Sequence, residues 1–434
     1  MDIPPIETAS LPEIKAYQES KLAEALQYAA ENSPFYKRLL NNIGLDVTSV
    51  TTLEALGTFP VTTKEDLQEF NEDFLCVPRS KIIDYTTTSG TSGSPVTFAL
   101  TDKDLDRLAY NEAISLQCSG IREGDIVQLM TTIDRRFMAG LAYFLGLRKL
   151  GAGIIRVGAG IPELQWDSIL KYKPAYVITV PSFLLKLIEY AEANGIDYNN
   201  CGIKGAICIG EPVRGQDFSD NVLAQRITAK WNIKLYSTYA STEMSTAFPE
   251  CEYSVGGHHH PELIIAEVLD DDNNPVGNRE SGELTITTLG VEGMPLVRYK
   301  TGDIVQMHDG PCQCGRNTMR VGPVVGRKQQ MIKYKGTTLY PPAMNELLNA
   351  FGEITGHAIE ISSNELGTDE ILIRIAAFQP GEALLASVKD HFRAKLRVTP
   401  KIIFVSQEEL DSLMYTPMSR KPVNFVDTRG KLNR

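Results

Sequence analysis

Short strand-like runs alternate with helical stretches between residues 82 and 290, and this alternation limits the fold more than any other feature of the chain. The β-rich runs lie at 126–130, 153–157, 175–180, 205–209 and 233–236, and the helical stretches lie at 104–116, 139–150 and 182–194. Strands joined by helices form parallel sheets, because the crossover returns the chain to the same end of the sheet. The pattern therefore predicts an α/β fold, in which ligands bind beyond the carboxyl ends of the strands.

A change in texture after residue 260 indicates a second domain. The final part of the chain reads as strands at 355–362, 370–377 and 401–406, with helices at 343–350 and 382–396. At 434 residues the chain also exceeds the size of one hydrophobic core. We expect domains at residues 1–326 and 327–434, the second a small α+β domain. We also expect an amphipathic helix at 11–31, ended by Ser33 and Pro34.

The charge balance of the chain argues against two classes of partner. The formal net charge is −11 and the pI about 5.2, which disfavour nucleic acid and anionic membranes. No apolar run approaches the roughly 18 residues of a membrane span, and the first residues lack the pattern of a signal peptide. Seven scattered cysteines, an odd number, favour free or metal-bound thiols over a disulfide framework. We expect a cytoplasmic protein that binds neither nucleic acid nor membrane.

A run rich in hydroxyl groups, residues 86–95, reads Thr-Thr-Thr-Ser-Gly-Thr-Ser-Gly-Ser-Pro. Such a loop can fold its backbone N–H groups and hydroxyls around a polyphosphate, because glycine permits close approach. It is not the loop of P-loop proteins, since Ser94 stands where a lysine would be required. Solvated turns have a similar composition, so this loop alone leaves both interpretations open.

Five motifs follow one another along the chain. They are the loop at 88–95, Gly-Glu-Pro at 210–212, Tyr-Ala-Ser-Thr-Glu at 239–243, Arg-Tyr-Lys-Thr-Gly-Asp at 298–303, and Gly-Arg at 326–327 followed by Ile-Lys-Tyr-Lys-Gly at 332–336. In this order they resemble the adenylate-forming superfamily of acyl-CoA synthetases, peptide-synthetase adenylation domains and luciferases. Three further stretches are similar to its phenylacetate–CoA ligase branch: Ser-Pro-Phe-Tyr at 33–36, residues 59–67, and Asp-Thr-Arg at 427–429.

The resemblance implies both a fold and a reaction. The fold would be α/β, with a large N-terminal multi-sheet adenylation domain and a small mobile α+β C-terminal domain that acts as a lid. The reaction would use ATP and Mg²⁺ to activate a carboxylic acid as acyl-AMP, and the coenzyme A thiol would then displace AMP. Two alternatives stay open: transfer of the acyl group to an amine or carrier protein, and a non-catalytic nucleotide-binding relic.

The resemblance also implies roles for individual residues. The phosphates of ATP would be bound by Ser89, Gly90, Thr91, Ser92 and Gly93, and the adenine by Gly210, Glu211, Pro212, Tyr239, Ala240 and Ser241. Catalysis would use Thr242, Glu243 as the Mg²⁺ ligand, and Lys421 as the mobile cation; the ribose would contact Asp303 and Arg327, and coenzyme A would contact Gly336. Without the resemblance, Glu243 and Asp303 would read as ordinary turn residues.

Two positions depart from the superfamily pattern. A glycine normally precedes the catalytic lysine, but Arg420 precedes Lys421, and Lys431 after Gly430 is the alternative choice. The hinge normally carries Asp or Lys two residues after the Gly-Arg pair, where this chain has Gln329. A neutral hinge residue can still rotate.

Three cysteines and one histidine suggest a metal site. Cys312 and Cys314 form a tight pair, and Cys251 lies upstream with His258. This is a known ligand set for structural zinc, and the resembling branch carries cysteines in both places. Because Cys-x-Cys spacing is less usual than Cys-x-x-Cys, and buried cysteines also serve as packing, zinc and no metal both stay open.

The acid substrate is expected to bind among residues 131–145, 205–209 and Ala240. Three aromatic side chains there could hold an aryl ring or could simply pack in the core: Phe137, Tyr143 and Phe144. Arg135 and Arg136 stand where the branch is apolar, and a buried arginine could pair with a second carboxylate, whereas a solvated turn would leave both free. We expect an aryl or arylalkyl acid such as phenylacetate, and similarity to the branch suggests a homodimer.

Overall fold

Residues 2–88, 95–334, 337–364, 368–414 and 423–429 are described by the structure, which is a computed structural model. The chain divides into two units, Met1–Val324 and Val325–Arg434. The boundary expected from the sequence lies close by, between residues 326 and 327.

The first unit contains helices and strands in alternation. Its helices are α1 (Pro5–Thr8), α2 (Leu11–Asn32), α3 (Pro34–Ile43), α4 (Lys64–Glu69), α5 (Asp102–Cys118), α6 (Met138–Leu150), α7 (Pro162–Tyr172), α8 (Pro181–Ala193) and α9 (Val222–Thr228). Its strands are β1 (Ile82–Thr87), β2 (Thr97–Thr101), β3 (Ile126–Leu129), β4 (Gly153–Arg156), β5 (Tyr176–Thr179), β6 (Gly205–Cys208), β7 (Lys234–Ser241), β8 (Thr246–Pro249), β9 (Gly257–His258), β10 (Ile264–Leu269), β11 (Ser281–Thr288), β12 (Tyr299–His308) and β13 (Arg320–Val321).

The predicted alternation produces a parallel sheet in the order β4-β3-β5-β6-β7, to which β8 adds an antiparallel edge strand. Strands β5 and β6 are buried along their whole length, as expected where helices cover both faces of a sheet. On one face Trp166 of α7 stacks on Trp231 with ring centroids 5.5 Å apart. The strands and helices predicted from residue 104 to 236 are confirmed with shifted ends, and α7 and α9 are additional helices.

The hydroxyl-rich loop, in contrast, does not follow a parallel strand. Strands β1 and β2 pair antiparallel, with Thr87 opposite Thr97, so the loop joins the two strands of a hairpin. The alternation predicts the wrong pairing here, because β1 bonds to the segment directly after it. The Thr87 N–H donates to the Arg136 carbonyl at 3.0 Å, which brings the loop end of the hairpin to the segment that follows β3.

Two N-terminal stretches, residues 33–36 and 59–67, form hydrogen bonds that position strand β12. Strands β10, β11 and β12 form an antiparallel sheet that continues through β13 to β9. Thr62 bonds to β12 and the residue before it, accepting from the Lys300 N–H at 2.9 Å and donating its own N–H to the Arg298 carbonyl at 3.0 Å. The buried Tyr36 hydroxyl accepts from the Val297 N–H at 2.8 Å. Both contacts fix the start of β12.

No helix in the described part of the chain combines the length and the apolar character needed to cross a membrane. Helix α2 is long enough at 22 residues, but it carries charged side chains such as Lys15, Lys21 and Glu24. Its buried positions instead recur on one face, with Leu22, Leu26 and Ala29 in the core.

The second unit is the predicted small α+β fold. Its strands are β14 (Gly326–Arg327), β15 (Ile332–Tyr334), β16 (Thr337–Leu339), β17 (Ile354–Ser363), β18 (Asp369–Ala377), β19 (Lys401–Phe404) and β20 (Phe425–Asp427), and its helices are α10 (Pro341–Asn349), α11 (Glu382–Leu396) and α12 (Gln407–Met414). A mixed sheet runs in the order β19-β18-β17-β20, and α11 buries Val388 and Phe392. The Asp-Thr-Arg stretch anchors β20, because Arg429 donates to Asp369 at 2.9 Å and Thr428 to the Ile361 carbonyl at 2.8 Å.

Candidate active site

The Tyr-Ala-Ser-Thr-Glu motif forms the turn between β7 and β8. Two hydrogen bonds of 3.3 Å close this turn, from the Ser245 N–H to the Thr242 carbonyl and from the Met244 N–H to the Ser241 hydroxyl. Ser245 adopts the left-handed backbone conformation, with φ 46°, which is costly for a residue other than glycine. Glu243 is half-buried inside the turn. The turn thus presents a carboxylate from a tightly bonded backbone.

Half-buried Tyr239 of β7 forms a pair with buried Asp303 of β12. The Tyr239 hydroxyl donates to Asp303 Oδ2 at 2.8 Å, and the Tyr239 ring stacks on Phe248 with centroids 5.9 Å apart. The Asp303 N–H donates to the Thr301 hydroxyl at 3.2 Å, which sets the position of the aspartate just after Gly302, a residue at φ 78°. Asp303 is only 7% exposed. A flat ring next to a fixed carboxylate acceptor suits a ligand that has both a planar base and hydroxyl groups.

The Gly-Glu-Pro turn follows β6 at the carboxyl end of the parallel sheet. Gly210 has φ 75°, a conformation that favours glycine. The Glu211 carboxylate accepts from both the N–H and the hydroxyl of Ser182 at 2.9 Å, and it thereby caps α8, whose N-cap residue provides no side-chain bond. The side chain of Glu211 is therefore committed to the fold, and the turn can offer a ligand chiefly its backbone.

Arg107 on α5 binds the residues that follow Glu243 in the hairpin turn. The sequence alone did not point to it. Its guanidinium donates to the carbonyls of Ser245, Leu263 and Leu289 at 2.6–2.7 Å and to the Thr246 hydroxyl at 3.2 Å. These four acceptors are neutral, and burial lowers the pKa of Arg107 to about 10, so it keeps its charge at neutral pH. Arg107 thus joins α5 to the segment that follows Glu243.

Arg298, the first residue of the motif that contains Asp303, is also buried. It forms an ion pair with Glu267 at 3.1 Å and donates to the carbonyls of Gly57 and Phe59 at 2.9 and 2.7 Å. Like Ser245 it has a left-handed backbone, with φ 45°. Its backbone conformation and its contacts direct the chain into strand β12. The role of Arg298 is therefore to position this strand.

Several predicted site residues cannot be placed by these contacts. Eight of these positions lie outside the described residues: Ser89, Gly90, Thr91, Ser92, Gly93, Gly336, Lys421 and the alternative Lys431. Arg327 lies at the start of the second unit, in β14. Ala240 is exposed on β7, opposite Ala247. The assignments of all these residues to ligands stay predictions.

The predicted acid-binding residues differ in their surroundings. Tyr143 packs in the core with Leu147 and Ile207, which favours the packing interpretation. Phe137 is half-buried directly before α6. Arg135 and Arg136 are exposed, which favours the alternative of a solvated turn over that of a buried arginine.

The four predicted metal-binding residues do converge. The ligand atoms of Cys251, His258, Cys312 and Cys314 all lie within 4.8 Å of one another. Hydrogen bonding from Cys251 and from His258 lowers the pKa of the Cys314 thiol, which favours the thiolate. Burial lowers the pKa of His258, which keeps it neutral, and its Nδ1 lies 3.3 Å from the Thr318 hydroxyl, which leaves Nε2 facing Cys314. Thiolates and a neutral imidazole oriented by a second partner are what tetrahedral zinc requires.

A charged network backs this cluster. Arg316 donates to Cys314 Sγ at 3.6 Å and to Glu7 Oε2 at 2.5 Å, and the other Glu7 oxygen lies 2.5 Å from His260 Nδ1. Burial opposes the ionised form of Glu7, but His260 and Arg316 outweigh it and lower the pKa of this carboxylate. The network connects the cluster to α1, and no sequence signal pointed to Glu7, since a lone glutamate near a terminus is usually solvated.

The two-unit fold, the hairpin turn that carries Glu243 and the Tyr239–Asp303 pair are those of an adenylate-forming enzyme. The chain belongs to the AMP-binding enzyme family, whose model matches residues 32–293.

Curated relatives extend the match over most of the chain. The phenylacetate-coenzyme A ligase of Aromatoleum evansii is 30% identical over 359 residues, which are 80% of this chain and 78% of that protein. The phenylacetate-coenzyme A ligase of Thermus thermophilus is 29% identical over 382 residues, 87% of this chain and 84% of that protein.

Solved structures show the same fold. 2-Hydroxyisobutyryl-CoA ligase, in the postadenylation state in complex with 2-HIB-AMP, superimposes with a TM-score of 0.85 at 26% identity, over 98% of this chain and 91% of that one. O-succinylbenzoate coenzyme A synthetase from Bacillus subtilis, in complex with ATP and magnesium ion, gives a TM-score of 0.58 at 15% identity, over 74% and 66% of the two chains. The second likeness concerns the fold alone.

Proposed function

We propose that the chain is an AMP-forming acid–CoA ligase whose substrate is an aryl or arylalkyl carboxylic acid such as phenylacetate. The observation that carries this proposal is the 2.8 Å bond between Tyr239 and Asp303 on the hairpin that bears Glu243. It places a stacking ring beside a buried acceptor, on the strand that leads into the turn carrying Glu243. The names of the relatives that cover most of the chain support coenzyme A as acceptor and an arylacetic acid as substrate.

The first step joins the acid to the nucleotide. A carboxylate oxygen of the acid attacks the α-phosphorus of ATP, and diphosphate leaves. Tyr239 stacks on the adenine, which also meets the backbone of residues 210–212, and Asp303 accepts hydrogen bonds from the ribose. Glu243, next to Thr242, holds Mg²⁺, which when bound neutralises charge on the phosphates. Because the reactants are both anions, most of the catalysis consists of positioning and charge compensation.

The second step transfers the acyl group. The thiol of coenzyme A releases its proton to solvent and its sulfur attacks the carbonyl carbon of acyl-AMP; the thioester forms, and AMP leaves with the bonding electron pair. We assign the mobile cation of the first step to Lys421, the phosphate loop to residues 89–93 and the contact with coenzyme A to Gly336, all from the resemblance. Arg327 is proposed to contact the ribose.

A panel of acids tests the proposal. Purified protein is incubated with Mg·ATP and aryl, arylalkyl and short aliphatic acids, with and without coenzyme A, while diphosphate, AMP and thioester are measured. We expect diphosphate with arylacetic acids in both cases and thioester, detected by mass spectrometry, only with coenzyme A. Diphosphate without thioester would indicate another acyl acceptor, and neither product from any acid would refute the ligase.

We further propose that Cys251, His258, Cys312 and Cys314 hold a structural zinc ion. Their four ligand atoms within 4.8 Å, the lowered pKa of the Cys314 thiol and the lowered pKa of His258 fit tetrahedral coordination. Elemental analysis of untagged protein after gel filtration should find one zinc per chain. Substitution of a cysteine outside the cluster, Cys201→Ser, should leave that content unchanged, and a value far below one in the unmodified protein would refute the site.

The cellular setting and the oligomeric state are proposed from the chemistry of the cysteines and from the resemblance. None of the seven cysteines forms a disulfide, which fits a reducing compartment such as the cytoplasm. A homodimer follows from the resemblance to the branch. Light scattering coupled to size exclusion should give twice the chain mass of 48.0 kDa, and a monomeric mass would refute it.

A further inference from the structure

Two consecutive arginines occupy a strained turn at the carboxyl end of β3. Arg135 has φ 58° and Arg136 has φ 57°, both in the left-handed region. Among the described residues they are the sole adjacent pair of non-glycine residues in this conformation. Residues other than glycine pay a free-energy penalty there, and such strain persists where the surrounding structure holds it for a purpose.

The turn is firmly closed, so the strain cannot relax. The Arg136 carbonyl accepts from Thr87 at 3.0 Å, and the Phe137 N–H donates to the Asp134 carbonyl at 3.2 Å. On the other side Gly140 packs so tightly that a Cβ built on it would lie 1.9 Å from the Thr132 carbonyl oxygen. The backbone of both arginines is therefore fixed by its neighbours.

The charged ends of the two arginines are unused by the fold. Both side chains are exposed, and neither guanidinium has a hydrogen bond or ion pair within the described part of the chain. The acidic residue of the same turn, Asp134, accepts instead from the Thr132 hydroxyl. In a protein with a net charge of −11, two unpaired cations held side by side form a local site for an anion.

The position of the turn indicates which anion. It lies between Thr87, at the base of the hydroxyl-rich loop, and α6, and its neighbours Ile133 and Ala139 pack against the apolar cluster that contains Ile207 and Ile209. That cluster borders the region expected to receive the acid. The two arginines are therefore sequence neighbours of residues that pack beside the expected acid-binding segment 205–209.

We propose that Arg135 and Arg136 bind a second anionic group, a carboxylate or an oxyanion of similar charge, at the end of the acid substrate remote from the reacting carboxylate. This inference rests on the proposed function, and it narrows the substrate class from aryl acids in general to dianionic ones. Paired guanidinium groups suit such an anion because they offer several N–H donors in a fixed geometry.

Steady-state kinetics with two matched acids tests the inference. The acids are phenylacetate and a phenylacetate that carries a second carboxylate on the ring, and the variants are Arg135→Gly/Arg136→Gly and the control Arg279→Gly. Arg279 is exposed and has φ 65°, and its N–H bonds to the Met307 carbonyl at 2.9 Å, so it matches the strain without lying near the site. Glycine relieves the backbone strain in the double variant and in the control variant. Neither variant should therefore unfold at a lower denaturant concentration than the wild type.

The expected result is selective. The double variant should lose at least about tenfold in kcat/KM for the dianionic acid, because the KM of that acid rises. The KM values of phenylacetate and of ATP should not change. The control should change neither acid. Equal losses for both acids, a rise in the KM of ATP, or a wild-type protein that turns over only phenylacetate would each overturn the inference and leave the ligase intact. A wild-type protein that forms AMP from no acid would overturn the ligase and the inference together.

Discussion

The hydrogen bond between the Tyr239 hydroxyl and Asp303 connects the two residues assigned to the nucleoside, and it can be tested one atom at a time. Tyr239→Phe keeps the ring that stacks on Phe248 but removes the donor to Asp303. We expect the KM of ATP to rise by about two- to tenfold, the usual net value of one hydrogen bond, with little change in the KM of the acid. Tyr239→Ala removes the ring as well and should raise the KM of ATP further.

Fluorescence titration with Mg·ATP, made alongside the kinetics, separates binding from catalysis. Tyr110→Phe is the matched control, because its hydroxyl also donates to a carboxylate, at 3.1 Å to Glu262, away from the hairpin. An unchanged affinity for ATP in Tyr239→Ala would contradict the assignment of this ring to the nucleotide.

A second test at the residue scale concerns Glu112, a carboxyl buried between α5 and α6. A Cβ added to Gly146 would lie 2.5 Å from the Glu112 Cβ, and the nearest polar partner is the Asn111 amide, which donates at 3.1 Å. Burial raises the pKa of Glu112 to about 8. The folded state therefore keeps a proton that the unfolded chain loses near pH 4.5, so the free energy of unfolding should fall as the pH rises between these values.

The slope of that fall is at most about 1.4 kcal/mol per pH unit for one group. Glu112→Gln keeps the acceptor for Asn111 without a titrating proton, so its stability should be flatter with pH and higher than that of the wild type at pH 8. Urea unfolding at pH 5, 6.5 and 8 measures the difference. Parallel profiles for the two proteins would show that Glu112 is ionised in the fold at neutral pH.

At the scale of elements, α5 acts on the active site through Arg107. Arg107→Met should leave four neutral acceptors without their donor, each at a cost of about 1–3 kcal/mol where it stays dry, and should release the turn that carries Glu243. We expect kcat/KM for Mg·ATP to fall by about a hundredfold, since a small misplacement of a reacting group is enough. Arg107→Lys should restore part of it.

A purely structural effect is excluded by a control on the same helix. Leu116→Ala removes a buried side chain of α5 that does not bond to the turn, and it should destabilise the fold by about 2–5 kcal/mol. Below its unfolding temperature its KM for Mg·ATP should equal that of the wild type. If Leu116→Ala and Arg107→Met lose activity alike, Arg107 does not position the turn.

The elements also show what the sequence could and could not reveal. Periodicity and alternation predicted the parallel strands and the helices α5, α6 and α8, but not α7 and α9. They failed for the β1–β2 hairpin, since pairing with the next segment leaves no trace in composition. Arg107 was missed because three of its acceptors are backbone carbonyls, which any residue possesses. The cluster of Cys251, His258, Cys312 and Cys314 was predicted because cysteine and histidine are the residue types that bind zinc.

At the scale of the whole molecule, the proposed zinc site ties together distant parts of the first unit. The cluster joins the segments around Cys251 and Cys312, and Arg316 connects it to Glu7 of α1, where the Glu7 carbonyl also accepts from the Asn317 N–H at 2.8 Å. Loss of the metal should therefore loosen α1 although it lies in neither of the metal-binding segments. We expect removal of zinc by a chelator to lower the unfolding midpoint by at least about 5 °C.

Hydrogen exchange followed by mass spectrometry locates the effect. Peptides from residues 2–10 and 251–260 should lose protection after chelation, whereas peptides from α11 in the second unit should not change. Cys312→Ser should show the same loss of protection without a chelator, and adding the chelator should change nothing further. Cys201→Ser replaces a buried cysteine outside the cluster and should behave as the wild type. Because the ion takes no part in the reaction, adenylation at low temperature should survive its removal. A metal-free protein that keeps both its midpoint and the protection of α1 would show that the buried ion pair of Glu7 and Arg316 holds this helix by itself.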